Sequence, residues 1–219
     1  MTTMDTKERI LDAAEQLFAD QGFKSTSMRN ITHEADVNLA AVNYHFGSKL
    51  ALFTAVLARR INPVNEERIA RLDAIEKQTP EGPLDLETVL RAFLEPFLQI
   101  SRMFDEQGMG LLMLARRAHT DQNPEVRSAL TDLFERVFFR FHQAFQRALP
   151  GVPPQELGLK MFYAVGIMIQ AMSWSRRPQW LDKGDARSLD HDDLTESLIR
   201  FAVAGMRAPS VRAGEGRAS

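Results

Sequence analysis

The chain of 219 residues contains no cysteine. That excludes disulfides, thiolate metal ligands and a cysteine nucleophile, and it fits a reducing cytoplasm. No stretch approaches the ~18–20 uninterrupted apolar residues of a membrane span, so no membrane association is expected. The opening "MTTMDTKERI" has no basic segment followed by an apolar core and does not read as a secretory signal. An excess of one charge is lacking too. The formal net charge is −2, so any anion-binding surface must come from local arrangement. There is no glycine-rich phosphate loop, no His-x-x-x-His pair and no nucleophile elbow, which argues against an enzyme. "HTD" at 119–121 and "HDD" at 191–193 are the only fragments with a metal or acid–base flavour. Isolated fragments of this kind are far more often loop or helix-cap groups, and no metal or cofactor is expected.

Strand alternation and hairpin signals are missing, whereas helical spacing is found almost throughout. Apolar residues make up 44% of the chain, enough for a real core. From Asp5, the positions Ile10, Ala13, Ala14, Leu17 and Phe18 repeat as one helical face, and Gly22 can end that helix in a left-handed cap. Hydroxyls at 25–27 can cap a second short helix, and Asn38 a third that runs to Phe46. Gly47 stops it, and Ser48 can cap a fourth helix with Leu52, Phe53, Val56 and Leu57 inward. Beyond Ile61, "NPVNEERIARLDAIEKQTPEGP" reads as helix end plus linker, broken clearly at Pro80, Gly82 and Pro83. Helical patterns resume over residues 85–103, 106–119, 124–149, 154–175 and 192–207. In "LFERVFFRFHQAF", Phe134, Val137, Phe138, Phe141 and Phe145 form one stripe. The final "PSVRAGEGRAS" has no apolar payload and reads as a frayed tail.

Two short helices joined by "EADVN" read as a helix-turn-helix. On the second, Leu39, Val42 and Phe46 share one side and are expected to pack inward. Ala40, Ala41, Asn43, Tyr44 and His45 then flank or face outward. An outward face so short and nearly uncharged can enter a groove closely. Asparagine can pair with an adenine edge and alanine methyls can meet a thymine methyl. Tyr44, His45 and Lys49 can hold phosphates on either side, and the helix N-termini at Ser27 and Ser48 offer free amides. An ordinary helical corner with core aromatics has the same generic chemistry.

The ordered set "ILDAAEQLFADQGF", a hydroxyl cluster, and "YHFGSK" resembles the DNA-binding region of TetR-family transcriptional regulators over residues 7–57. The resemblance implies an all-α fold with a helix-turn-helix domain at residues 1–52, a ligand-binding and dimerisation domain at 53–208, and a tail at 209–219. It implies a homodimer that represses from a palindromic DNA operator and releases it when a small effector enters the C-terminal domain. Carried onto this sequence, the DNA contacts are Thr26, Ser27 and Arg29, then Asn38, Leu39, Ala40, Ala41, Asn43, Tyr44 and His45, with Lys49 on a phosphate. Seven Lys and Arg among residues 1–60 are balanced by seven Asp and Glu, so the acidic groups of the first helix are expected to face away from DNA.

The same resemblance places the effector among Phe97, Met103, Phe104, Met109, Met113, Arg116, Phe138, Phe141, Met168 and Trp174. Methionine adapts to irregular apolar shapes, although each of these residues also suits an ordinary core. Pro96 removes a helical donor from the Ala92 carbonyl and can bow its helix outward. "VNLAAVNYHFGSK" and "FAVAGMRA" are similar to the fatty-acid-responsive branch typified by PsrA, which suggests a long-chain fatty acid or acyl-thioester. An aromatic or cationic drug-like effector, with control of efflux or catabolism, is the alternative. The family's dimer bundle falls on the last two helices, through Ala164, Ala171, Leu198, Phe201, Ala202 and Gly205.

Overall fold

The computed structural model describes residues 5–103, 122–172 and 191–210, with the backbone alone at 100–103 and 191. Every regular element among the described residues is helical. In chain order they are α1 (Thr6–Ser25), α2 (Met28–Glu34), α3 (Leu39–Phe46), α4 (Lys49–Gln78), α5 (Leu86–Met103), α6 (Pro124–Ala148), α7 (Pro154–Met172) and α8 (His191–Arg207). They fall into two compact units. One holds α1 to α3, α4 through Asn65 and α6 through Arg136; the other holds the remainder of α4 and α6 with α5, α7 and α8. The division between these units falls inside α4.

The first unit is organised by the stripe read from the sequence. Ile10, Ala14 and Phe18 of α1 are fully buried, as are Ile31 of α2, Val42 of α3, and Leu52, Val56 and Leu57 of α4. Phe18 and Phe53 meet edge to face at 5.0 Å, and Phe23 meets Phe53 at 5.2 Å. Such pairs add directional packing to the area they bury. Gly22 interrupts α1 with φ 81 and ψ 170, a conformation glycine reaches without a Cβ clash. One further turn then carries the chain to Ser25.

In the second unit α5 packs on α7 and α8, and α7 packs on α8. Phe93 of α5 lies 4.9 Å from Phe141 and 5.9 Å from Phe145 of α6. The sequence expectation of a linker after Ile61 is corrected. α4 continues through Pro63 to Gln78. Beneath the polar composition, Ile61, Val64, Arg68 and Leu72 are all buried and continue a helical stripe. Pro63 lies on the exposed side, where the carbonyl it leaves without a helical donor can meet water. The break comes at 79–85, with Gly82 at φ 87.

Candidate nucleic-acid interface

The helix-turn-helix is α2, a turn at 35–38, and α3. Ser27 caps α2, its hydroxyl accepting the Asn30 amide at 3.1 Å. α2 ends in a Schellman arrangement: the Val37 amide donates to the Thr32 carbonyl at 3.0 Å and the Asp36 amide to the His33 carbonyl at 3.2 Å. That motif needs a left-handed residue, and Asp36 takes the position with φ 49. Asn38 caps α3 by accepting the Ala41 amide at 2.8 Å. Gly47, with φ 74, ends α3 as expected, and the Ser48 hydroxyl accepts the Ala51 amide at 3.1 Å.

One residue anchors α3 fully: Val42 is buried, while Phe46 is only half-buried. Leu39, expected inside, is 45% exposed at the first residue of α3. With Ala40, Asn43 and Tyr44 it forms the outward face, and Tyr44 is 86% exposed. His45 is half-buried with its ring edge to face with Tyr44 at 5.2 Å. Ala41 is half-buried, and Ser27, Arg29 and Asn38 are exposed.

Two residues expected to touch DNA are held elsewhere. Thr26 is 1% exposed, its hydroxyl lying 2.9 Å from the Gly22 carbonyl and 3.1 Å from the Leu17 carbonyl. It closes the end of α1. The Lys49 ammonium donates to the Phe23 carbonyl at 2.8 Å and the Thr26 carbonyl at 2.9 Å, and stands 4.3 Å above the Phe23 ring. A lysine in that position complements the negative end of α1 and ties it to the start of α4.

The balance of charge in this unit has a structural answer. Arg59 of α4 donates to Asp12 at 2.7 Å and Glu8 at 3.3 Å, and pairs with Glu15. Arg60 reaches Glu15 at 2.7 Å. Burial pulls the Arg59 guanidinium down, but bonds to Glu15 and Asp12 outweigh it and hold it above its usual value. Three of the α1 carboxylates, Glu8, Asp12 and Glu15, are thus held by the two arginines of α4. Arg9, which the sequence did not single out, donates through Nη2 to the Ala35 carbonyl at 2.6 Å and the Asp36 carbonyl at 2.7 Å.

Among the expected effector residues, Phe97, Phe141 and Met168 are buried in the second unit, whereas Phe138 is 37% exposed. Phe104, Met109, Met113, Arg116 and Trp174 lie outside the described residues, as does the Met103 side chain. Arg68 is buried against Phe93 and Phe97, with its Nε donating to the Phe93 carbonyl at 2.7 Å. Burial pushes its guanidinium down to about 10. A cleft of about 200 Å³ between α5 and α8 is lined by Arg91, Glu95, Leu98, Gln99, Asp192, Thr195 and Glu196. That charged lining does not suit an apolar chain. Asp192 and Asp193 of "HDD" occupy the first turn of α8, where acidic groups complement the helix dipole; "HTD" lies outside the described residues.

The expected dimer residues divide. Ala164, Leu198 and Ala202 are buried within the single chain and so are covered before a second chain arrives. Ala171 is half-buried, Gly205 is exposed, and Phe201 is 67% exposed. Beside them, Leu159, Phe162 and Tyr163 of α7 are exposed, and with Gly166 they repeat at i, i+3, i+4 and i+7. The signal was present in the sequence: α7 carries apolar residues on two faces, more than one neighbour can cover. No helix among the described residues is long and apolar enough to cross a membrane.

Residues 10–56 match the family described as bacterial regulatory proteins, tetR family, and residues 91–205 match the tetracyclin repressor-like C-terminal domain. The transcriptional repressor KstR of Rhodococcus jostii is 29% identical over 55% of this chain, and the chain spans only 62% of that relative's length. The transcriptional activator FasR of Mycolicibacterium smegmatis is 24% identical over 92% of this chain and 83% of its own. Among solved structures, the fatty acid degradation regulator FadR of Bacillus halodurans shares the fold with a TM-score of 0.62 at 13% identity, covering 91% of this chain and 99% of that one. With both halves matched and the helix-turn-helix formed, the chain belongs to the TetR family of transcriptional regulators.

Proposed function

We propose that the chain is a ligand-responsive repressor that binds a palindromic operator as a homodimer. The observation that carries this reading is the exposed face of α3. Leu39, Ala40, Asn43 and Tyr44 stand clear of a rigid core and carry no charge of their own. Such a face suits base edges in a major groove, with Asn43 on an edge and Tyr44 beside a phosphate. Ser27, Arg29, Asn38, Ala41 and His45 flank it. Thr26 and Lys49 support it from behind rather than touching DNA. The second copy is seated on the exposed apolar stripes of α7 and α8. Large contiguous apolar surface of this kind marks an association site, and a two-fold interface presents two reading heads to a palindrome.

The effector is taken to be a long acyl chain, on the strength of the resemblance to the fatty-acid-responsive branch. Bound more tightly by the DNA-incompetent state, it shifts the equilibrium toward release. The test has two steps. Random duplex libraries are first enriched on the purified protein; recovery of no palindrome would remove the operator reading. Fatty acids and acyl-CoA esters of rising chain length are then titrated against the complex. Release should strengthen by up to ~0.8 kcal/mol per buried methylene. Release by a flat aromatic or cationic compound and by no acyl compound would overturn the acyl reading alone.

A further inference from the structure

We propose that Arg9 is a positioning residue for DNA reading, acting through the turn between α2 and α3. The inference rests on the DNA-binding reading above. Three observations converge on the turn. Asp36 adopts φ 49 without being glycine, which is sterically unfavourable for a residue with a Cβ. The amides of Ala35, Asp36 and Val37 all donate back to α2, leaving the Ala35 and Asp36 carbonyls directed away from that ladder. Both carbonyls accept from the one Nη2 of Arg9, at 2.6 and 2.7 Å, and the Asp36 carboxylate lies 3.3 Å from the same atom.

The consequence is geometric. α3 has a single fully buried residue, Val42, so its packing leaves the helix axis weakly defined. The direction in which α3 leaves α2 is set by the dihedral angles at Ala35 and Asp36. A guanidinium nitrogen bridging those two carbonyls fixes their relative orientation, and charge-assisted bonds are the strongest available for this. Arg9 sits on α1, itself packed on both α2 and α3, so the turn is referenced to the core of the reading head. The aspartate then serves two ends. It tolerates the left-handed position better than most residues, and its carboxylate helps hold the cation.

The test compares Arg9→Met, Asp36→Gly and the double variant with wild type, in the full-length protein. Each binds two duplexes: one enriched by wild type from a random library, and one of scrambled sequence. Arg9→Met should reduce the ratio of the two affinities by about tenfold, the effect of losing a charge-assisted contact, with an unchanged salt slope. Asp36→Gly added to Arg9→Met should restore much of the ratio, because glycine occupies the turn conformation without needing to be held. Loss of folded protein alone would lower both affinities together and leave the ratio intact; that result overturns the proposal. A salt slope reduced by about one would also overturn it, showing Arg9 to be a phosphate contact. Failure of wild type to enrich any duplex refutes the DNA-binding reading instead. A ratio unchanged in Arg9→Met with wild type discriminating normally refutes the positioning role.

Discussion

The outward face of α3 and the outward faces of α7 and α8 are both exposed, yet they are made of different chemistry. α3 shows an amide, a phenol, an alanine and one leucine. α7 and α8 show Leu159, Phe162, Tyr163 and Phe201, a surface that water solvates poorly. The first suits a hydrated groove with edges to be read; the second suits another apolar surface. Charges follow the same division. In the reading head, Arg9 and Lys49 are turned onto carbonyls and Arg59 and Arg60 onto the α1 acids, while Lys7, Lys24 and Arg29 stay exposed. In the second unit arginines join helix to helix. Arg91 links α5 to Glu196 of α8 at 2.7 Å, and Arg140 of α6 reaches Asp73 of α4 at 2.6 Å.

The comparison breaks most readily at the core of the reading head. Phe53→Ala removes the ring that Phe18 and Phe23 both contact, and should cost ~3–5 kcal/mol by chemical denaturation. A loss under 1 kcal/mol would mean the head is held by its ion pairs instead. Next, Phe201→Glu places a charge in the proposed subunit contact, and symmetry makes the change act twice. Sedimentation should show monomers, and operator affinity should fall at least about a hundredfold, equivalent to ~2.7 kcal/mol. Retained dimers would move the interface elsewhere.

Lys49→Met tests whether the cation belongs to the fold or to the DNA. Losing two charge-assisted bonds should lower stability by ~1.5–3 kcal/mol while the salt slope of DNA binding stays constant. A slope reduced by one with unchanged stability would return Lys49 to the phosphate. Asn43→Ala should leave stability unaltered and cost ~1–3 kcal/mol at particular base pairs. Equal losses on specific and scrambled duplexes would show that it reads no base.

The smallest effect is one of pH in the second unit. The Thr88 hydroxyl and amide hold the Asp85 carboxyl below its ordinary value. A depressed folded-state value makes this cap's contribution fully present above the ordinary aspartate range, near pH 4, and lost as pH falls through the lower folded value. Thr88→Val should raise the Asp85 value in an NMR titration and move that loss to higher pH. An unmoved titration would assign the depression to other groups.

Much of this was legible before any coordinates. The caps at Ser27, Asn38 and Ser48 and the stop at Gly47 depend on neighbours within four residues, and all formed as read. Errors arose where the deciding partner was distant. Polar composition after Ile61 suggested a linker, but Arg68 could be buried because Phe93 and Phe97 receive its guanidinium. Nothing local to Lys49, expected on a phosphate, signals that its ammonium reaches the Phe23 and Thr26 carbonyls, 26 and 23 positions back.

The sequence by itself determined the helical class, the order of the helices, the helix-turn-helix and the family, because periodicity, caps and spaced motifs are local properties of the chain. Only the tertiary structure decided which polar groups remain outward. It turned Lys49 and Thr26 inward and exposed Leu39. It covered Ala164 and Ala202 while leaving Phe162 and Phe201 exposed, and set Arg9 on the turn between α2 and α3. Those outcomes depend on contacts between residues far apart in the chain, such as Arg9 with Asp36, 27 positions on. A donor's partner at that range is selected by how helices pack, and a one-dimensional pattern carries no record of it.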